Sequence, residues 1–129
     1  MVCMGNICRS PTAQGMLEKL ARDSGLADRV QVDSAGTHGG HIGAPPDERA
    51  QEHARRRGLD LSAQRARALC SPEHAHKLRR LTDFCTHHAA REVPDPYYGG
   101  GAGFEAVLDL VEDACTGLLR TLIATRQGR

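Results

Sequence analysis

The clearest pattern in the chain is an apolar stripe near its carboxyl end. Over residues 104–122 apolar side chains recur in steps of three and four residues, which is the period of an amphipathic α-helix. The stripe consists of Phe104, Val107, Leu108, Val111, Cys115, Leu118, Leu119 and Leu122. We expect this last helix to face a sheet with its stripe, and we interpret Cys115 as a small buried side chain of the core.

A second apolar face predicts a helix over residues 11–24. Its members are Ala13, Leu17, Leu20 and Ala21. Ser10 is a suitable N-cap, and Pro11 suits the first helical position because its missing N–H would have no partner there. Gly25 is a suitable stop for this helix.

The remaining elements have weaker signals. A helix is predicted to open at Asp47, after a pair of prolines, and to end at Gly58. Residues 30–32 alternate as in a short strand, residues 71–73 are typical of a helix start, and residues 81–85 favour another short strand. This alternation of strands and helices predicts an α/β fold, a three-layer sandwich with a parallel sheet.

Composition adds the broad class of protein. With 129 residues, 40% of them hydrophobic and 26% charged, we expect residues 1–129 to form one globular domain. A formal net charge of +1 provides no field for nucleic acid or for an acidic membrane surface. The chain has five cysteines, no apolar run long enough to span a bilayer and no leader-like segment, so we expect a cytoplasmic protein with reduced thiols.

The candidate chemistry lies directly before the first helix. Cys3 and Arg9 flank a short glycine-containing loop that runs into a helix N-terminus, where free N–H groups attract anions and favour a thiolate. The planar guanidinium of Arg9 matches two oxygens of a phosphoryl group. The predicted phosphate-binding residues are Met4, Gly5, Asn6, Ile7, Cys8, Arg9 and Ser10.

Two motifs together resemble one known family. The first runs Val2-Cys3-Met4-Gly5-Asn6-Ile7-Cys8-Arg9-Ser10-Pro11, and the second runs Asp95-Pro96-Tyr97-Tyr98-Gly99-Gly100. They resemble the active-site loop and the acid loop of low-molecular-weight protein tyrosine phosphatases. The resemblance implies hydrolysis of phosphotyrosine in proteins, or of small aryl phosphates, through a phosphocysteine intermediate and without a metal or another cofactor.

The resemblance also implies roles for individual residues. Cys3 is the expected nucleophile, Arg9 the expected ligand of the phosphoryl oxygens, and Asp95 the expected general acid. A general acid must be protonated, so we expect burial beside Pro94, Pro96 and the two tyrosines to raise the pKa of Asp95. The Ser10 hydroxyl can donate to the thiolate.

Further residues have supporting roles. Asn6 and Ser34 resemble family residues that brace the loop, and Tyr97 and Tyr98 are expected at the pocket mouth. Cys8 shares the loop with Cys3, so we expect peroxide to join the two in a reversible disulfide.

Three departures from the family pattern change what we expect of the sheet and of the pocket wall. Only Met1 and Val2 precede Cys3, and no hydrophobic strand follows Ser71-Pro72-Glu73, so we expect a depleted sheet. The glycine-rich segment 37–43, the expected pocket wall, also lacks the aromatic residue that the family usually carries there.

Other functions are compatible with parts of the pattern. The chain could be an inactive anion-binding remnant, or a thioredoxin-coupled arsenate reductase, although Cys70 and Cys85 are far apart for a resolving pair. Zinc could bind at Cys70, His74 and His76 or at Cys85, His87 and His88, but neither set has paired cysteines. The loop lacks the Gly-Lys-Ser/Thr ending of nucleotide-binding loops, which argues against a nucleotide hydrolase.

Overall fold

A computed structural model of the chain describes residues 1–68, 79–97 and 99–127, in which strands and helices alternate. In chain order the elements are β1 (Val2–Cys3), α1 (Arg9–Asp23), β2 (Ala35–Gly36), α2 (Glu48–Arg55), a 3₁₀ helix (Leu81–Phe84) and α3 (Gly101–Gln127). This order confirms the predicted α/β fold. The helix start predicted at residues 71–73 lies outside the described residues. Among the described helices, none combines the length and the apolar character needed to span a bilayer.

The described sheet is small and parallel. Val2 lies opposite Ala35 and Cys3 lies opposite Gly36. The Ala35 N–H donates to the Met1 carbonyl at 2.9 Å. On its other side β2 forms a single parallel bridge, from Gly36 to Ala68. Within the described ranges the sheet has two strands of two residues each, while the segment after Ser71-Pro72-Glu73, on which the expectation of a depleted sheet depends, lies outside them.

The strand predicted at residues 30–32 is wrong in its position. The ladder begins at Ala35, where the backbone first runs alongside β1. Val30 and Val32 are half-buried and pack their side chains against the core. The alternation of apolar residues at positions 30–32 therefore reflects side-chain burial and does not indicate a hydrogen-bonded strand.

Helix α1 begins at Arg9, two residues before the predicted start. Ser10 is consequently inside the first turn and is not the N-cap, which is Cys8 and makes no capping bond through its side chain. The reason is that the Ser10 hydroxyl is engaged by Cys3 and Asn6 in the preceding loop. The predicted stop is confirmed, since the helix ends at Asp23 and Gly25 has a φ of 71°.

Helix α2 starts as predicted. The Asp47 carboxylate accepts the N–H groups of Arg49 and Ala50, at 2.9 and 3.4 Å, which is a standard N-cap arrangement. Gly58, with a φ of 80°, closes the turn that follows the helix. Because the Asp47 N–H also donates to the Ile7 carbonyl, the start of α2 is attached to the loop after Cys3.

The core lies between the helices. Helix α3 packs chiefly against α1, the 3₁₀ helix and α2, so the expectation that its stripe faces the sheet is wrong for the described residues. The physical reason is that two short strands offer too little surface, and α1 covers the stripe instead. The buried members of the stripe are Phe104, Val107, Leu108, Val111, Cys115 and Leu119. Cys115 is fully buried, as predicted, whereas Leu122 is 43% exposed.

A 3₁₀ helix replaces the strand predicted at residues 81–85. It lies against α3 at Gly117, where a Cβ atom would be only 1.8 Å from the Phe84 carbonyl oxygen. The Thr82 hydroxyl donates to the Arg91 carbonyl at 2.8 Å and closes the following loop. The prediction failed because this close approach, and not the local sequence, determines the backbone.

The buried carboxylate of Asp113 in α3 attaches that loop to the core. It accepts the N–H groups of Thr86 and His87, each at 2.9 Å, and lies 2.7 Å from His88 Nδ1. Burial alone would raise the pKa of Asp113, but the hydrogen bonds from Thr86, His88 and His87 outweigh burial and hold that pKa well below its usual value.

The contact at Gly117 generates a prediction about stability. Gly117→Ala forces the Phe84 backbone away from α3, and we expect a loss of about 1–3 kcal/mol in the free energy of unfolding. Gly103→Ala is the matched control on the same helix, since its Cβ would lie 3.6 Å from Pro96 Cβ, an ordinary contact. The control should be neutral or stabilising by up to about 1 kcal/mol. Chemical denaturation measures both, and equal stability of the two variants would contradict the role of Gly117.

The lowered pKa of Asp113 predicts a pH dependence. Because its folded-state pKa lies below the unfolded value, its contribution is present at neutral pH and is lost as the pH falls from about 5 towards 2. Asp113→Asn should lower the free energy of unfolding at pH 7 by about 2–3 kcal/mol, since charge-assisted hydrogen bonds are lost. The variant should also lose less further stability in acid than the wild type. Asp28→Asn, at an exposed position, is the control, and parallel acid profiles for wild type and Asp113→Asn would refute the assignment.

Candidate active site

The loop between β1 and α1 is organised around the side chain of Asn6. Asn6 is 2% exposed and has a left-handed backbone, with a φ of 58°. Its Nδ2 atom donates to the hydroxyls of Ser10 at 2.7 Å and Ser34 at 3.0 Å, and its Oδ1 atom accepts the Arg67 N–H at 3.0 Å. The structure thus joins Asn6 and Ser34, the two residues expected to brace the loop.

Two donors face the sulfur of Cys3, which follows Val2 at the end of β1. The Asn6 N–H donates to Sγ at 3.3 Å, and the Ser10 hydroxyl oxygen lies 3.0 Å from Sγ. Because that oxygen accepts from Asn6, the hydroxyl hydrogen is available to the sulfur. The sulfur of Cys3 therefore has two hydrogen-bond donors directed at it within the loop.

Arg9 connects the loop with the second motif. Its Nη1 atom donates to the Val93 carbonyl at 3.1 Å, and its Nη2 atom lies 3.6 Å from Asp95 Oδ2. The structure therefore brings together Cys3, Arg9 and Asp95 as neighbours of one loop. The expected burial of Asp95 is wrong, however, because its side chain is 38% exposed. Pro96 is buried beside it but Pro94 is exposed, so the two prolines do not enclose the carboxyl group.

The segment after Asp95 is held on α2 by Arg49. The Arg49 guanidinium donates to the carbonyls of Tyr97 at 2.8 Å and Gly99 at 3.4 Å. It also lies over the rings of Tyr97 and Phe104, 5.4 and 4.9 Å from their centroids. Tyr97 is 38% exposed near Asp95, while Tyr98 lies outside the described residues. Arg49 thus attaches the segment after Asp95 to the start of α2.

The glycine-rich segment 37–43 lies against the loop, and its role as a pocket wall stays a prediction. The His38 N–H donates to the Met4 carbonyl at 2.8 Å, and a Cβ atom on Gly5 would be 3.1 Å from the His41 ring. Gly36 is required for this approach, because a Cβ atom there would lie 2.7 Å from the Met4 carbonyl oxygen. Within this segment Ile42 is exposed and the His41 ring lies beside Gly5.

The second cysteine of the loop differs from the first. Cys8 is buried, and burial, followed by the nearby Asp47 carboxylate, raises the pKa of its thiol to about 12. Cys8 therefore stays protonated at neutral pH, and the disulfide with Cys3 remains a prediction. Cys85 and Cys115, the other cysteines among the described residues, are also free thiols.

The described residues do not support the zinc alternatives. There His88 lies against Asp113, and no group of three His, Cys, Asp or Glu side chains is arranged to hold a metal ion. Cys70, His74 and His76 lie outside the described residues, as does the pairing of Cys70 with Cys85 that an arsenate reductase would need.

Several contacts of the site had no signal in the sequence. Asn6 is bound by the main chain of Arg67, and Arg9 by the main chain of Val93. Main-chain groups are present at every residue, so no residue type marks them. The closeness of Gly36 to the loop is a signal that reasoning about close backbone approach at glycines could have used.

Comparison with known proteins adds independent findings. The family model described as low molecular weight phosphotyrosine protein phosphatase matches residues 1–73 and 61–128. The putative low molecular weight protein-tyrosine-phosphatase of Synechocystis sp. is 38% identical, over 94% of this chain and 93% of its own. The human low molecular weight phosphotyrosine protein phosphatase is 33% identical, over 92% of this chain and 90% of its own.

Solved structures agree. The protein tyrosine phosphatase of Entamoeba histolytica superimposes with a TM-score of 0.90 at 33% identity, covering 97% of this chain and 96% of its own. The Bacillus subtilis protein YfkJ gives a TM-score of 0.84 at 34% identity, covering 96% and 92%. The alignment with the Synechocystis relative extends over 147 positions, whereas this chain has 129 residues, so the relative carries residues inside the aligned region that this chain lacks.

The contacts of Asn6 generate a prediction about anion binding. Asn6→Ala removes three hydrogen bonds and also strains the left-handed backbone, so we expect phosphate affinity to fall by at least about tenfold and stability by about 1–3 kcal/mol. Asn6→Gly is the matched control, because it tolerates the backbone conformation and lacks only the side chain. Titration with inorganic phosphate, followed by calorimetry, measures the affinity. Phosphate binding as tight in Asn6→Gly as in the wild type would show that the side chain does not organise the loop.

Proposed function

The chain belongs to the low molecular weight phosphotyrosine protein phosphatase family and is a protein-tyrosine-phosphatase, and we propose that Cys3, Arg9 and Asp95 carry out its reaction. One observation carries this proposal: the sulfur of Cys3 has two hydrogen-bond donors inside a loop whose last residue, Arg9, meets Asp95. A nucleophile, a cation for the phosphoryl oxygens and an acid thus lie at one site.

The first proposed step transfers the phosphoryl group to the enzyme. Cys3 Sγ attacks the phosphorus atom from the side opposite the aryl oxygen, so a sulfur–phosphorus bond forms as the phosphorus–oxygen bond to the aryl group breaks. The leaving oxygen receives the proton of the Asp95 carboxylic acid. The products are the free phenol and a phosphocysteine at Cys3.

The second proposed step restores the enzyme. The Asp95 carboxylate removes a proton from a water molecule, whose oxygen attacks the phosphorus atom. The sulfur–phosphorus bond breaks, inorganic phosphate leaves, and Cys3 returns to the thiolate. Donors at Asn6 and Ser10 stabilise the sulfur in both steps, because it is the nucleophile in one and the leaving group in the other.

Charge on the phosphoryl oxygens is balanced by this chain's own groups. The loop of residues 4–10 and the N-terminus of α1 provide N–H donors, and the Arg9 guanidinium provides a planar pair of them. A phosphoryl group bound to Arg9 competes with Asp95 for that cation. The proposed steps use no metal and no other cofactor.

Phosphotyrosine-containing proteins are the substrate class that the family implies. Small aryl phosphates share the reacting group, so we include them among the substrates. We also propose that residues 1–129 act as one domain and that the enzyme works in a reducing, cytoplasmic environment, an inference supported by the free thiols of Cys3 and Cys8 at the site.

Hydrolysis of p-nitrophenyl phosphate tests the proposal directly. We expect turnover that chelators do not change and that Cys3→Ser lowers by at least about 10³-fold, because the nucleophile is lost. Asp95→Asn should slow phenyl phosphate by about 10²–10³-fold, and p-nitrophenyl phosphate much less, since only the poorer leaving group needs the proton. Equal losses on both substrates would reject Asp95 as the acid, and full activity of Cys3→Ser would reject the mechanism.

A further inference from the structure

A continuous set of contacts joins the loop of residues 4–10 to the carboxyl group of Asp95. It begins at Ile7, whose carbonyl accepts the Asp47 N–H at 2.7 Å. The Asp47 carboxylate binds the Arg49 guanidinium, with Oδ1 3.2 Å from Nε and Oδ2 3.2 Å from Nη2. Arg49 Nη2 also donates to the Tyr97 carbonyl at 2.8 Å, and the Tyr97 N–H donates to Asp95 Oδ1 at 3.0 Å. The loop and the carboxyl group are therefore connected through the start of α2.

The guanidinium of Arg49 is central to this connection. It binds one carboxylate, that of Asp47, and two main-chain carbonyls, those of Tyr97 and Gly99. It also lies over the rings of Tyr97 and Phe104. A planar group with five N–H donors can make all these contacts at once, whereas a lysine ammonium is a point charge without that fork. The contacts therefore require arginine and not merely a positive charge.

The Phe104 ring gives Arg49 a second attachment to the same loop. Phe104 is 3% exposed and packs in a cluster with the buried residues Cys8 and Ala50. The half-buried side chain of Ile7 packs against this cluster. Arg49 is thus supported by the loop of residues 4–10 in two ways, through its ion pair with Asp47 and through the ring of Phe104.

The Asp95 carboxylate has contacts of two kinds with the described residues. One is with Arg9, whose Nη2 atom lies 3.6 Å from Oδ2. The other is the bond from the Tyr97 N–H to Oδ1. In the proposed mechanism the phosphoryl group competes for Arg9, whereas the Tyr97 contact involves no group that binds phosphate. A general acid must lie within about 2.6–3.2 Å of the atom that it protonates, so the contact that persists determines its position.

We propose that Arg49 is a positioning residue for the general acid. By holding the carbonyls of Tyr97 and Gly99, it fixes the turn that carries the Asp95 carboxyl group and places that group beside the leaving aryl oxygen. Asp47 holds Arg49 in the required orientation. The inference rests on the proposed function, since it concerns the acid of the same site, and Arg49 itself touches no reacting atom.

Arg49→Lys tests the proposal, because it keeps the positive charge and removes the planar fork. We expect kcat/KM for phenyl phosphate to fall by about 10–100-fold, the loss typical of a group misplaced by about 1 Å. For p-nitrophenyl phosphate the loss should stay below about 3-fold, since this leaving group needs little help from an acid. The inhibition constant of inorganic phosphate should change by less than about 3-fold. A purely structural role would lower both activities alike.

A double variant supplies a second readout. Arg49→Lys in the Asp95→Asn background should lower phenyl phosphate hydrolysis by less than about 2-fold, because no acid is left to position. Arg56→Lys is the matched control, since Arg56 follows the same helix and forms an exposed pair with Glu52 at 2.9 Å. It should leave kcat/KM unchanged for both substrates.

Asp47→Asn keeps the comparison available if Arg49→Lys does not fold. An asparagine still caps α2 but lacks the charge that holds Arg49. We expect a loss of about 3–10-fold in kcat/KM for phenyl phosphate and little change for p-nitrophenyl phosphate.

The outcomes separate this inference from the proposed function. A selective loss in Asp95→Asn, together with equal losses on both substrates in Arg49→Lys and Asp47→Asn, overturns the inference alone. A full additive loss in the double variant also overturns it. An inactive wild type, or an unselective Asp95→Asn, rejects the proposed function, and the inference falls with it.

Discussion

The buried amide of Asn6 is the contact on which the rest of the site depends. It ties the loop after β1 to Ser10 in α1, to Ser34 before β2 and to the backbone at Arg67. Its nitrogen donates twice and its oxygen accepts once, and the left-handed backbone of Asn6 directs its N–H at the sulfur of Cys3. A buried amide with every partner present specifies one geometry, because each lost partner carries a desolvation cost.

Among the described residues, helices provide most of the packing around the site. The long helix α3 lies along α1, so the element that carries Arg9 is supported mainly by a helical core, with a smaller contact to β1. Close contacts at Gly117 and the carboxylate of Asp113 attach the segment before the acid loop to the same helix. Helix α1 and the segment before Asp95 are thus both attached to α3.

The parts predicted correctly from sequence were those determined locally. The buried face of α3, the cap at Asp47 and the stop near Gly25 follow from spacing and residue type within one element. The strand at residues 30–32 was wrong because its outcome depends on the edge of β1, which is distant in sequence. The cap at Ser10 was wrong because the buried amide of Asn6 and the sulfur of Cys3 engage its hydroxyl. The exposure of Asp95 was also not predictable, since it is set by how Arg9 and Arg49 hold the loop.

The double engagement of Arg9 links two equilibria. The Arg9 guanidinium contacts Val93 and Asp95, and in the proposed mechanism it is also the cation to which an incoming phosphoryl group is drawn. An anion that draws Arg9 away from Val93 and Asp95 destabilises that segment, and a more stable segment lowers the affinity of Arg9 for the anion. By thermodynamic reciprocity the two effects are equal in size. A single coupling free energy therefore links the affinity for phosphate to the stability of the segment around Asp95.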